Sequence, residues 1–269
     1  MAKKTFIPDK TGKVTTNLAG CLQKEYAAIN STDFSGQYTI EKKTIFVIER
    51  DRYAKGDKQG RIGDPNLIPL FEISNKMHEG SPILFVGMNP SGTDVEHYKD
   101  YDAHYKSSPH QVFIYDGDST YYRAMRKFAF ECLQGIEPQL QKEEDAEGFY
   151  SELDLFGIVQ STQECVQKDF LADPDKYGKL FDIFLDYVKR INPKVIIVAN
   201  AFVRRILQQP SPKFTVKKNE EFGGYTFKIS SMGNFKSQLY FSSMLSGQRA
   251  LDKGSWENLV WLVRNFLRK

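Results

Sequence analysis

The feature that most constrains this chain is an apolar run that stops abruptly: Ile83-Leu84-Phe85-Val86, followed by Gly87-Met88-Asn89-Pro90-Ser91-Gly92. Four apolar residues without a polar interruption read as a strand buried on both faces, the usual state of strands in a parallel sheet. Glycine and proline then turn the chain at the strand's carboxyl end, where open α/β sheets hold their ligands. Such turns also form for structural reasons alone, with an asparagine side chain tying its own turn.

Further along, similar runs alternate with helical patterns. Strands are expected at Pro82–Gly87, Leu153–Val159, Val195–Ala199 and Gln238–Phe241. A helix is expected where Tyr121, Met125, Phe128, Ala129 and Cys132 recur at helical spacing. Others are expected at Tyr177–Ile191, Phe202–Gln208 and Trp256–Leu267. Phe214–Val216 and Tyr225–Ile229 flank a glycine-containing turn and read as a hairpin insertion, and Glu143–Glu147 as a solvated loop. Before the first sheet strand lie a helix around Leu18–Ile29, a strand-like Tyr38–Ile48, a polar loop at 51–66 and a short helix at Ile68–His78. This alternation predicts a three-layer α/β/α fold with a central, mainly parallel four-stranded sheet. Residues 81–269 would form that domain and residues 1–80 an amino-terminal extension packed on it.

The Gly87-Met88-Asn89-Pro90 turn resembles the Gly-Met-Asn-Pro-Gly of the single-strand-selective monofunctional branch of the uracil-DNA glycosylase superfamily, with Ser91 in place of the last glycine. Ser242-Ser243-Met244-Leu245-Ser246-Gly247-Gln248 occupies the place of that superfamily's His-Pro-Ser loop. The following Asp252-Lys253-Gly254-Ser255-Trp256-Glu257-Asn258 is similar to the Asn-Lys-Gly-Trp-Glu that trails it. Asn192 to Ala201 is similar to the superfamily's third strand and exit turn. The resemblance spans about Ser81 to Lys269 and does not cover the first eighty residues.

The resemblance implies a site that binds a base extruded from DNA and hydrolyses its N-glycosidic bond. Such chemistry needs a water opposite the leaving base and stabilisation of the charge that grows on that base. Asn89 would position the water, since an amide cannot take up its proton at neutral pH. Gly87, Met88, Pro90 and Ser91 would shape the turn against the substrate. Strong members of the superfamily begin the closing loop with a histidine, whereas this chain has none after His110. Aligning Lys253-Gly254 puts Ser243 at that position, and aligning Leu245-Ser246 shifts the match by a residue or two. Ser243 offers only a neutral hydrogen bond where an imidazole would offer a stronger one.

Base recognition would fall to Gln160, after the second strand, and to Tyr101, with Tyr98 and Tyr105 as competitors for stacking. Leu245 would wedge into the gap left by the extruded nucleotide. Ser246 and Gln248 belong to the same DNA-facing loop, and Arg249 and Lys253 would contact phosphates. Three functional readings stay open: a DNA glycosylase, a nucleobase- or nucleic-acid-binding module of the same fold, and a hydrolase acting on another small substrate. The expected partner is DNA, single- or double-stranded, or a free nucleobase, and no cofactor is implied.

Charge sharpens the DNA expectation. Residues 187–269 hold 15 Lys+Arg against 4 Asp+Glu, whereas residues 81–186 hold 9 against 20. A basic final third suits a nucleic-acid-facing edge, unless it serves to neutralise the acidic middle. No apolar run approaches the roughly 20 residues of a membrane span. Cys21, Cys132 and Cys165 have no metal spacing and suit reduced thiols in a cytoplasmic protein. His97, Asp100 and His104 would suit a metal only on a helix, and their charged, turn-rich surroundings favour solvated surface.

Overall fold

The computed structural model of the protein describes residues 17–28, 71–90, 112–115, 118–157, 166–167, 170, 174–231 and 233–269. In chain order these hold helix α1 (Leu18–Ala27) and strands β1 (Phe71–Ser74), β2 (Ile83–Gly87) and β3 (Val112–Tyr115). Helix α2 (Thr120–Leu133) follows, then a 3-10 helix (Glu143–Phe149), strand β4 (Tyr150–Asp154) and helix α3 (Pro174–Ile191). Strand β5 (Val195–Val198), helix α4 (Ala201–Leu207), strands β6 (Phe214–Lys218), β7 (Tyr225–Ile229) and β8 (Ser237–Phe241), and helix α5 (Lys253–Leu267) complete the set.

The main sheet is mixed and has six strands, in the order β4-β2-β5-β8-β7-β6, and β1 and β3 form a separate parallel pair. Strands β4, β2, β5 and β8 run parallel, and β7 and β6 add antiparallel at one side. Side-chain alternation divides the core. Leu84, Val86, Leu153, Ile196, Val198 and Leu239 pack on one face with α1, α3 and α4. Ile83, Phe85, Tyr150, Val195, Ile197 and Tyr240 pack on the other with α2 and α5. Helices therefore cover both faces, which is why β2 and β5 could be apolar throughout.

Four expectations need correction. The sheet has six strands rather than four, because the hairpin is part of it: Phe214, Phe227 and Ile229 bury in the shared core while β7 pairs with β8 from Tyr225–Leu239 to Phe227–Ser237. Of the helix expected at Ile68–His78, the described part is not helical; Phe71–Ser74 is a strand held by pairing with Val112–Tyr115, a partner distant in sequence. The second sheet strand is Tyr150–Asp154 rather than Leu153–Val159.

The acidic run Glu143–Glu147 opens a 3-10 helix instead of a loop, with Ala146 fully buried. Asp145 accepts from the backbone N–H groups of Gln141 and Lys142, and Glu147 bridges Lys76 and Arg126. The expectations for Tyr38–Ile48 and for 51–66 lie outside the described residues. Among the described residues no helix is long and apolar enough to cross a membrane.

Candidate functional site

Four parallel strands release the chain at one edge. From β2 the chain passes to β4 on one side, then returns across to β5 and β8 on the other. This reversal makes the exits of β2 and β5 a topological switch point, the place where open α/β sheets form a crevice. The loops after β2 and β8 thus share the carboxyl edge, separated by β5. Backbone hydrogen bonds fix them: Leu155 N–H donates to Gly87 C=O, Phe156 N–H to Met88 C=O and Ser242 N–H to Val198 C=O, at 2.9–3.0 Å.

Within the first turn, Asn89 is half-buried and its Nδ2 donates to Pro90 C=O at 2.8 Å. That contact ties its own turn. It also orients the amide, leaving Oδ1 as the acceptor, and among the described residues nothing donates to it. Met88 is 2% exposed and packs in the core, and Pro90 is buried as well. Both hold the turn in place, and the Met88 side chain belongs to the core rather than to the carboxyl edge.

Gly87 has a specific steric role. A methyl group there would meet Asp154 Oδ1 at 2.1 Å, with the Tyr121 hydroxyl 3.5 Å away. The missing side chain is what seats the Asp154 carboxylate beside the first turn, opposite its register partner. Glu152, two residues back on the same face, is 3% exposed. Burial, and then the charges of Glu152 and Asp154, push the Tyr121 phenol well above its ordinary range, so it stays a neutral donor. Asp154 also borders a small cleft with Tyr26, Ser74 and Gly157. Sequence reading missed Asp154 and Tyr121 because it placed the strand's end several residues later.

On the β8 side, Ser243 is exposed and Ser242 and Ser246 are half-buried. The loop is closed by Leu251 N–H donating to Met244 C=O and Ala250 N–H to Gly247 C=O, with Gly247 at φ 84°. Leu245 is 6% exposed and belongs to the core under α5, so it is not available as a wedge. The exposed apolar side chain of this loop is its neighbour Met244, at 37%. Gln248, Arg249 and Lys253 are exposed, and Lys253 lies 3.7 Å from Glu257. Asp252 caps α5 by accepting from Ser255 N–H and Oγ, which holds its carboxyl below the usual range.

After β5, Asn200 caps α4 by accepting from the N–H groups of Phe202 and Val203. Exposed Arg204 and Arg205 follow, lying over the rings of Phe241 and Phe202. These two cations were also missed. The signal was present in Asn200-Ala201-Phe202-Val203-Arg204-Arg205, a capped helix leaving a sheet strand.

Ser91, Tyr101 and Gln160 lie outside the described residues, as do Tyr98, Tyr105, His97, Asp100 and His104. Among the described residues no group of three or more His, Cys, Asp or Glu side chains could hold a metal ion. Cys132 is buried, which pushes its thiol well above the ordinary range and away from reactivity. No protein-family model matches the chain, and a search of curated proteins finds no match.

Proposed function

We propose that the crevice at the carboxyl edge takes an extruded nucleobase, in the manner of the uracil-DNA glycosylase superfamily, and that Asn89 holds the water that hydrolyses its N-glycosidic bond. The observation that carries this reading is Asn89 itself. Its amide nitrogen donates to Pro90 C=O beside the switch point, and among the described residues nothing donates to its oxygen. Asp154, the register partner of Gly87, supplies what an amide lacks: a group able to accept the water's proton. Met244 replaces Leu245 as the apolar side chain that would fill the vacated stack, and Arg204, Arg205, Arg249 and Lys253 are the cations near enough in topology to meet phosphates.

A binding-only reading draws on Ser243. The position is exposed and neutral, so it gives little stabilisation to charge developing on a leaving base. An alkali-cleavage assay on a single-stranded oligonucleotide with one uracil separates the two. Under the hydrolytic reading wild type cleaves, Asn89→Ala abolishes cleavage, and Asp154→Asn lowers kcat with little change in KM. Ser243→His raises the rate by as much as the hundred- to thousand-fold that one oxyanion donor typically contributes. Binding without cleavage by any variant supports the module. Neither binding nor cleavage by folded protein overturns both.

A further inference from the structure

The hairpin carries a second surface, two strands beyond β8 and away from the crevice. Thr215 and Lys217 on β6 pair with Lys228 and Thr226 on β7, so all four project from one face of the sheet. Thr226 pairs in turn with Gln238, and Lys236 precedes β8 on that same face. Lys228 follows Phe227, and Lys236 precedes Ser237, the last pair of the β7–β8 register. Lys217, Lys228 and Lys236 are all exposed, as is Thr215, and Thr226 is half-buried.

Among the described residues none of the three lysines has a carboxylate partner. The hairpin's own acids, Glu220 and Glu221, sit in its turn and are engaged by Lys218 and Lys269. Lys217 and Lys228 each face a threonine across the ladder, so their charges lie diagonally rather than directly opposite. An unneutralised lysine group on an edge hairpin does discourage strand-to-strand aggregation. That role requires the charges on edge strand β6, however, whereas Lys228 lies on β7, inside the sheet, and Lys236 on the segment leading into β8.

We propose that this face binds the phosphate backbone of a single-stranded nucleic acid. The lysines offer charge, and the threonine hydroxyls between them offer neutral donors of the kind that contact phosphate oxygens. Strand and residue spacings of about 5 and 7 Å set these donors out as a grid along which a flexible strand can follow. Among the described residues of the hairpin, this face presents no exposed apolar side chain, which an anionic membrane surface would use. Lysine is also depleted from protein–protein interfaces, which favours the nucleic acid over an acidic protein.

The test is fluorescence anisotropy with a labelled thymidine 20-mer at several salt concentrations, using the full chain and the triple variant Lys217→Gln, Lys228→Gln, Lys236→Gln. All three positions are exposed, so the variant should keep its circular dichroism spectrum and melting temperature. Affinity should fall about tenfold at low salt, and the salt slope should shrink by about 2, roughly 0.7 per lost contact. Free-nucleobase binding at the crevice should not change, so failure of this proposal is separable from failure of the previous one. An unchanged affinity and slope overturns the proposal. So does a triple variant that loses phosphatidylserine vesicles or polyglutamate while keeping the oligonucleotide.

Discussion

Phe85 and Thr215 stand on the same face of the same sheet, yet Phe85 is 1% exposed and Thr215 lies in water. Phe85 belongs to the parallel half, where α2 and α5 cover the strands and Phe128 and Tyr150 meet its ring edge to face. Thr215 belongs to the antiparallel half, where among the described residues no helix covers it. The difference decides where chemistry can reside. In the parallel half the side chains of β2 and β5 are all buried, so side chains of these two strands can meet a ligand only where the strands end. In the hairpin one strand face reaches solvent, and charged side chains lie along it.

The largest expected effect tests that contrast directly. Phe85→Ala should destabilise the protein by about 3–5 kcal/mol in urea denaturation. Thr215→Ala should stay within roughly 0.5 kcal/mol. Comparable losses would mean that the hairpin is as deeply packed as the parallel strands, and the contrast would fail.

A smaller effect is expected where the halves join. Gly224 has φ 63°, and a methyl group there would meet Leu239 C=O at 2.6 Å and the Tyr240 ring at 2.7 Å. Gly224→Ala should lose about 1–3 kcal/mol and increase hydrogen exchange in β6 and β7 before β2 and β5. Equal exchange in all strands would show that the sheet opens as one unit.

How much of this was legible depended on burial. Ile83–Val86 and Val195–Val198 announced themselves because strands covered on both faces cannot afford polar residues. Tyr150-Ser151-Glu152-Leu153-Asp154 did not, since β4 is the last strand of the sheet and its polar groups are satisfied by distant partners. Ser151 Oγ lies 2.7 Å from Ser81 Oγ and accepts from His78 N–H at 2.8 Å. The reading slid on to the next apolar letters, and with it went Asp154. The hairpin was legible as a hairpin but not as part of the sheet, because alternating Thr and Lys hide its buried side. In the β8 loop the choice between Leu245 and Met244 rested on contacts with α5, which local letters do not encode.

The smallest expected effect concerns His78, half-buried just before β2, at the opposite edge of the parallel half. Burial and the nearby Lys76 lower its pKa from 6.5, and Glu147 only partly opposes them. The unfolded chain therefore takes up the proton first. Stability is full above about pH 6.5 and declines as pH falls below it towards the lowered native value. His78→Gln should flatten this part of the stability–pH profile. An unchanged slope would assign the acid sensitivity to other groups.

The central claim is that the crevice between the exits of β2 and β5 is the ligand site. Backbone amide NMR with uracil, and then with the other free nucleobases, tests it most directly. The account predicts shifts concentrated at Gly87, Met88, Asn89, Ala199, Asn200, Ser242 and Ser243, abolished by Asn89→Ala, with Thr215, Lys217 and Lys228 unmoved. Shifts centred on the hairpin or the opposite edge, or none with any base, would contradict it.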